Sequence, residues 1–240
     1  MSEMNNIPVL LLTGYLGSGK TTLLNRILLN RKGIRFAVIV NDIGEVNIDA
    51  ELIQKGGVVA QSDDNLVALQ NGCICCSLKM DLLEQLRDLC GATSETSKTF
   101  KGETPKPRFD YIVIEASGIC EPAPIAQTIC SYNSLLASSP HNHVPSPRLD
   151  AVVTVVDALR LRDEFMEQLS STVNNQFPIA PSEDLASLVI QQIEFCNLIL
   201  LNKVSDVSAE EREHICTILR AIQPKAKIID CDYCDVPFGE

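Results

Sequence analysis

The chain alternates short continuous apolar runs with segments whose apolar residues recur every three or four positions. Runs of the first kind are Pro8-Val9-Leu10-Leu11-Leu12, Ile34-Arg35-Phe36-Ala37-Val38-Ile39-Val40, Tyr111-Ile112-Val113-Ile114, Leu149-Asp150-Ala151-Val152-Val153-Thr154-Val155-Val156, Asn197-Leu198-Ile199-Leu200-Leu201 and Ala226-Lys227-Ile228-Ile229. Such runs, rich in Val and Ile, predict strands buried on both faces. Segments of the second kind cover Thr22–Leu29, the series Leu82, Leu83, Leu86 and Leu89, Ala123–Ile129, Leu185–Ile193 and Ala209–Ile222, and predict helices. Polar stretches at 41–49, 91–108, 131–148 and 170–182 predict loops. Strand and helix in alternation predict an α/β fold, a mostly parallel sheet with helices on both faces. Ligands of such a sheet bind at the carboxyl ends of its strands.

The first strand and first helix are joined by Gly14-Tyr15-Leu16-Gly17-Ser18-Gly19-Lys20-Thr21. This is G-x-x-x-x-G-K-[ST], the phosphate loop, in the strand–loop–helix setting it requires. Its glycines let the backbone curl so that N–H groups converge on phosphate oxygens. The following helix turns its positive end toward the same anion. Lys20 is expected at the β- and γ-phosphates and Thr21 on Mg²⁺. The fold class is therefore the P-loop NTPase fold, read as one domain over residues 1–240.

Further segments join this loop by chemistry. The strand Tyr111–Ile114 ends in Glu115, the position where an acid holds Mg²⁺ directly or through water. After the strand ending at Leu201 stands Asn202-Lys203-Val204-Ser205, where GTPases carry Asn-Lys-x-Asp. That Asp accepts two hydrogen bonds from guanine, and Ser205 cannot offer two carboxylate oxygens. Either the loop slips so that Asp206 serves, or guanine preference weakens by about 1.5–3 kcal/mol. Asn41-Asp42-Ile43-Gly44-Glu45 follows the second strand, where a switch segment sensing the γ-phosphate is placed in GTPases. Lys20 and Mg²⁺ would stabilise charge on the γ-phosphate, and Asp42, Glu45 and Glu115 are the candidates to position water.

Ten cysteines change the picture further. Beside a nucleotide loop the setting is expected to be cytoplasmic and reducing, so free thiols and metal sites are favoured over disulfides. Cys73, Cys75 and Cys76 follow Gly72 and place three thiols within four residues. Thiolates so clustered suit Zn²⁺, Cu⁺ or Co²⁺, with Glu45, a His or water as a fourth ligand. Thiolate redox chemistry is the other reading of the cluster. Cys90, Cys120, Cys130, Cys196 and Cys216 lie in or beside apolar elements and are expected in the core. Cys231-Asp232-Tyr233-Cys234 has C-x-x-C spacing, which suits half a zinc site or a labile disulfide, and near the chain end a bystander role is favoured. His141 and His143 could form an accessory metal loop, and exposed, idle histidines are the favoured reading. A net charge of −11 argues against nucleic-acid and anionic-membrane partners. No apolar stretch approaches the length of a membrane span.

Taken together, these motifs resemble the CobW family of P-loop GTPases, viewed as metal chaperones or insertases. The resemblance spans nearly the whole chain and rests chiefly on Gly72-Cys73-Ile74-Cys75-Cys76. It extends to Asn41-Asp42-Ile43-Gly44-Glu45-Val46, Glu115-Ala116-Ser117-Gly118 and Val155-Val156-Asp157-Ala158. It implies a slow GTPase binding GTP and GDP with Mg²⁺. It also implies Zn²⁺ or a related ion at Cys73, Cys75 and Cys76, with Glu45 as an extra ligand, and a metal-dependent client protein. It places Gly17, Ser18, Gly19, Lys20, Thr21 and Thr22 on phosphates, and Asn202 and Lys203 at guanine. Ser205 departs from the family pattern. So does the end at Glu240, which leaves no room for the smaller C-terminal α/β domain that family members usually have. The oligomeric state stays open. Two other readings stand beside this one. The first is a P-loop ATPase or kinase acting on a small molecule, its cysteines structural. The second is a non-catalytic metal buffer or redox sensor.

Overall fold

The computed structural model describes residues 6–29, 34–40, 78–90, 109–135, 145–166 and 185–236. Its main elements are β1 (Ile7–Thr13), α1 (Lys20–Leu29), β2 (Phe36–Val40), α2 (Leu78–Cys90), β3 (Tyr111–Glu115), α3 (Pro122–Leu135), β4 (Pro147–Asp157), α4 (Leu185–Glu194), β5 (Leu198–Asn202), α5 (Ala209–Ile222) and β6 (Lys227–Cys231). The strands form one six-stranded sheet in the order β2-β3-β1-β4-β5-β6. Parallel pairing joins β4 to β5 and β5 to β6. All six expected strands and all five expected helices are present. Packing divides the chain into two compact units. One is Met1–Leu11, Arg31–Ile114 and Ala123–Asp150, and the other is Leu12–Asn30, Glu115–Pro122 and Ala151–Glu240.

In the first unit, the start of β2 is tied to the start of β3. The Arg35 guanidinium grips the Asp110 carboxylate at 2.8 Å, and the Asp110 amide returns a bond to the Arg35 carbonyl at 2.8 Å. The guanidinium's hydrogen bonds hold the Asp110 carboxyl below the usual carboxylate range. Leu82, Leu83, Leu86 and Leu89 of α2 are all buried, which is why their spacing reads as a helix. α3 opens on Pro122, whose missing N–H costs nothing in a first turn.

The second unit contains the carboxyl ends of β1, β3 and β4, all of β5 and β6, and helices α1, α4 and α5. Val152, Val153, Val155 and Val156 of β4 and Ile199, Leu200 and Leu201 of β5 are buried, as continuous apolar strands must be. α5 begins with a capping box: Ser208 accepts from the Glu211 amide, and Glu211 accepts from the Ser208 amide. A buried polar relay crosses this unit. The hydroxyls of Thr13 and Thr154 lie 2.8 Å apart, and Thr154 donates to the Gln192 carbonyl at 2.9 Å. The Gln192 side chain, 1% exposed, then donates to the carbonyls of Gly118 and Cys120 at 3.3 and 3.2 Å. α4 thereby fixes the loop that leaves Glu115.

Some expectations are corrected. The loop expected over 131–148 is shorter at both ends, because α3 runs to Leu135 and β4 begins at Pro147. Tyr132 is buried one turn beyond the last apolar position that the spacing marked, and its packing prolongs the helix past residues of weak propensity. Cys130 is exposed rather than in the core, since Ile125, Ala126, Ile129 and Tyr132 form the buried stripe of α3. Cys216 is only partly buried. Cys90, Cys120 and Cys196 are buried as expected. A short helix, Ala158–Arg160, a π-helical turn, Leu161–Phe165, and a 3-10 turn, Val204–Asp206, have no counterpart in the spacing pattern.

Replacing Gln192 by Leu removes the donor to two buried carbonyls. The variant should unfold with about 1–3 kcal/mol less stability in urea. Unchanged stability would show that the relay does not hold the loop.

Candidate functional site

All the site residues described here belong to the second unit. The loop between β1 and α1 turns on glycines that no other residue can replace without cost. Gly14 has φ +136°, and a Cβ there would sit 2.3 Å from the Val155 carbonyl oxygen. Gly19 has φ +115°, and its Cβ would meet Asn202 Nδ2 at 2.5 Å and Cys234 Sγ at 3.0 Å. Both conformations lie where side chains are rarely accepted.

Four consecutive carbonyls of the loop are bonded from outside it. Leu16 accepts from Arg160 Nη1 at 2.7 Å, and Gly17 from Lys203 Nζ at 3.2 Å. Ser18 accepts from Asn202 Nδ2 at 2.8 Å, and Gly19 from the Cys234 thiol at 3.4 Å. Carbonyls held in this way favour a loop whose amides turn toward an anion, while the Ser18 amide donates to the Tyr15 carbonyl at 3.1 Å. Three strand ends supply the straps. Asp157 of β4 pairs in register with Asn202 of β5, and Asn202 with Cys231 of β6. Asp157 is buried; its Oδ2 accepts from Lys203 Nζ at 2.5 Å and its Oδ1 accepts from the Arg160 amide at 3.1 Å. Arg160 also lies over the Tyr15 ring, 4.5 Å from its centre. The Tyr15 ring in turn meets Phe165 edge-on at 5.3 Å.

The reactive groups sit inside this frame. Lys20, 7% exposed, donates to the Tyr15 carbonyl at 3.2 Å. Ser18 Oγ is buried and has no hydrogen-bond partner among the described residues. The Thr21 hydroxyl donates to Glu115 Oε1 at 3.1 Å, and Glu115 is 2% exposed. The Leu12 carbonyl accepts from the Ala116 amide at 2.9 Å, which sets Glu115 beside the start of α1. A hydroxyl and a carboxylate oxygen together at a phosphate cradle form the hard-oxygen set that Mg²⁺ prefers, so these residues fit that ion.

The structure brings together Gly14, Gly17, Ser18, Gly19, Lys20, Thr21, Glu115, Asn202 and Lys203. Thr22 lies exposed on the first turn of α1. The Asn202 side chain is committed to the loop carbonyl and to the Cys234 amide, whose bond it accepts at 3.0 Å. Ser205 is exposed, and its amide and hydroxyl both donate to Asp232 Oδ1, at 3.1 and 2.9 Å. Cys231 and Cys234, expected to be bystanders, are buried against Asn202 and the phosphate loop. Asp42, Glu45, Cys73, Cys75 and Cys76 lie outside the described residues, as do His141 and His143. Among the described residues, no cluster of three or more His, Cys, Asp or Glu side chains could hold a metal ion. Burial pushes the Cys90 thiol up to about 12 and the Cys196 thiol up to about 11, so both stay protonated near neutrality and are poor ligands.

Nothing in the sequence singles out Arg160, and Asp232 and Cys234 figure there only within an idle C-x-x-C pair. Asp157 offered the one available signal, since it ends a strand in an acid just as Glu115 does.

A strapped phosphate loop, a buried lysine and a strand-end carboxylate against the loop's threonine define a P-loop nucleotide-binding protein. The nucleotide-binding-domain model of CobW/HypB/UreG matches residues 8–230, and the chain belongs to that family. It is 37% identical over 236 residues to the zinc chaperone YjiA of Escherichia coli K12, covering 98% of this chain and 61% of that protein. It is 36% identical over 244 residues to the zinc-regulated GTPase metalloprotein activator 1 of Dictyostelium discoideum, covering 98% of this chain and 47% of that one. The crystal structure of Zn(II)-bound YjiA GTPase from E. coli superposes with a TM-score of 0.59 at 27% identity, over 98% of this chain and 61% of that chain. HypB from Helicobacter pylori in complex with nickel shares the fold, with a TM-score of 0.53 at 15% identity. The chain spans about half to three-fifths of the length of the curated relatives named here. Among the described residues, no helix is long and apolar enough to cross a membrane.

Gly19→Ala should weaken nucleotide binding about tenfold or more, through the φ it forbids and the Asn202 contact it disrupts. Equal affinities of Gly19→Ala and the parent chain, by fluorescent-nucleotide titration, would contradict the strapped-loop geometry.

Proposed function

We propose that this chain is the nucleotide-binding part of a metal chaperone, a slow GTPase that couples its nucleotide state to the handling of Zn²⁺ or a related transition metal for a client protein. The observation that carries the reading is the Thr21–Glu115 contact beside Lys20 in a phosphate loop, in a chain whose relatives are named zinc chaperones and a zinc-regulated GTPase. GTP, with GDP as its product, is the nucleotide. The cargo site is the set Cys73, Cys75 and Cys76, with Glu45 as a further ligand.

The chemistry asked of the described residues is positioning and charge stabilisation. N–H groups of the loop from Gly17 to Thr22 would bind phosphate oxygens, the Ser18 amide in exchange for the Tyr15 carbonyl it now meets at 3.1 Å. The Ser18 hydroxyl would gain the partner it lacks. Lys20 would exchange the Tyr15 carbonyl for phosphate oxygens and stabilise charge as the terminal phosphoryl group departs. Thr21 and Glu115 would hold Mg²⁺, which when bound neutralises phosphate charge. Asp42 and Glu115 are the acids assigned to orient water. Base contact falls to the Asn202–Ser205 loop.

Coupling between nucleotide and metal has to be reciprocal. Any factor by which GTP changes Zn²⁺ affinity is the factor by which Zn²⁺ changes GTP affinity. The test is Zn²⁺ affinity by competition with a chelating dye under reducing conditions, with and without Mg²⁺ and a non-hydrolysable GTP analogue. The reading predicts a shift of about tenfold, equal to roughly 1.4 kcal/mol of coupling, that disappears in Cys75→Ala. Identical Zn²⁺ affinities in both nucleotide conditions would overturn the coupling. Separately, Lys20→Ala should lower the GTP turnover number by about a hundredfold or more. Undiminished turnover would remove Lys20 from the chemistry.

A further inference from the structure

The base-reading loop lacks the carboxylate that its motif calls for, yet one stands in contact with the vacated position. Ser205 occupies the place of the usual Asp, and both its amide and its hydroxyl donate to Asp232 Oδ1. Asp232 is the first residue after β6, whose last residue, Cys231, pairs in register with Asn202 at the end of β5. The two loops leaving these strands therefore start side by side, next to the strapped phosphate loop.

We propose that Asp232 is the residue that selects the base, taking over from a neighbouring strand the role that position 205 has lost. This inference rests on the GTP reading given above. An ionised carboxylate has about four lone-pair sites. Ser205 uses two of them, both on Oδ1, and Asp232 Oδ2 has no hydrogen-bond partner among the described residues. Two sites remain for the two N–H donors on guanine's pairing edge. Adenine presents an acceptor at the same place, which a carboxylate repels.

The turn that carries Asp232 is held firmly. Cys234 N donates to Asn202 Oδ1 at 3.0 Å, and Asp235 N to the Asp232 carbonyl at 3.0 Å. Arg26 donates to the Tyr233 carbonyl at 2.7 Å and pairs with Asp235 at 2.8 Å. Tyr233 and Cys234 each have φ 53°, a left-handed conformation that non-glycine residues rarely adopt. A turn held in that conformation by Asn202 and Arg26 presents its carboxylate in a fixed orientation. Asp206, the alternative, is exposed, and its carboxylate makes no hydrogen bond or ion pair among the described residues. Nothing orients it.

A capping role for Asp232 on the 3-10 turn is separable from base selection. Asp232→Asn keeps Oδ1 for Ser205, which uses both of its lone pairs, and turns an NH2 group with two donors toward the base. Two donors cannot pair with the two N–H donors on guanine's edge. The experiment is displacement of fluorescent GDP by GTP and ATP from the parent chain, Asp232→Asn and Asp206→Asn. The expected result is a GTP preference in the parent, and in Asp232→Asn a loss of GTP affinity of about tenfold or more with a reduced GTP-to-ATP ratio. Asp206→Asn should match the parent. Unchanged selectivity in Asp232→Asn would reduce Asp232 to a turn cap and overturn the proposal. So would the loss of GTP preference appearing in Asp206→Asn instead. A parent chain that binds GTP and ATP equally would fail the GTP reading itself, before any variant is compared, and the proposal would fall with it. Should Asp232→Asn not fold, Ser205→Ala is read instead. A reduced GTP-to-ATP ratio supports the proposal and an unchanged one overturns it.

Discussion

The site depends on one constraint: the carbonyls of Leu16, Gly17, Ser18 and Gly19 are each held from outside the phosphate loop. An anion nest needs its N–H groups turned inward, and a peptide's two polar groups point in opposite directions. Engaging the carbonyls therefore favours amides turned toward an anion, with the Ser18 amide resting on the Tyr15 carbonyl. Arg160, Lys203, Asn202 and Cys234 come from three different strand ends, so the loop is positioned by the sheet as well as by its own glycines. Asp157 anchors two of the four by binding both Lys203 and the Arg160 amide.

That dependence explains what the sequence disclosed and what it hid. Gly14 to Thr21 were legible because a phosphate loop must be contiguous, and Glu115 because a buried strand ending in an acid is unusual. α5 was legible to the residue, since Ser208 and Glu211 write its start. The straps were hidden because their partners lie as much as 215 positions apart in the chain, and no local spacing encodes such a contact. The end of α3 was misjudged because Tyr132, not propensity, sustains its last turn. The C-x-x-C pair near the chain end seemed idle for the same reason: its contacts with Asn202 and Gly19 exist only once β5 and β6 lie in register.

Metal and nucleotide enter the account on different footing. The nucleotide side is built from described residues and their contacts. The metal side rests on Cys73, Cys75 and Cys76 and on the names of the relatives. Burial keeps Cys90 and Cys196 protonated, and among the described residues no cluster of three or more His, Cys, Asp or Glu side chains could hold the ion. The proposal places metal handling on the thiols of Cys73, Cys75 and Cys76.

The most direct measurement is calorimetric titration of a non-hydrolysable GTP analogue with Mg²⁺ into the parent chain and into Asn202→Ala. The account predicts one site per chain in the parent and an affinity lower by about tenfold or more in Asn202→Ala, with the far-ultraviolet circular dichroism of the fold retained. Equal affinities in the two chains, or no saturable site in the parent, would contradict a phosphate loop prepared by straps from the sheet.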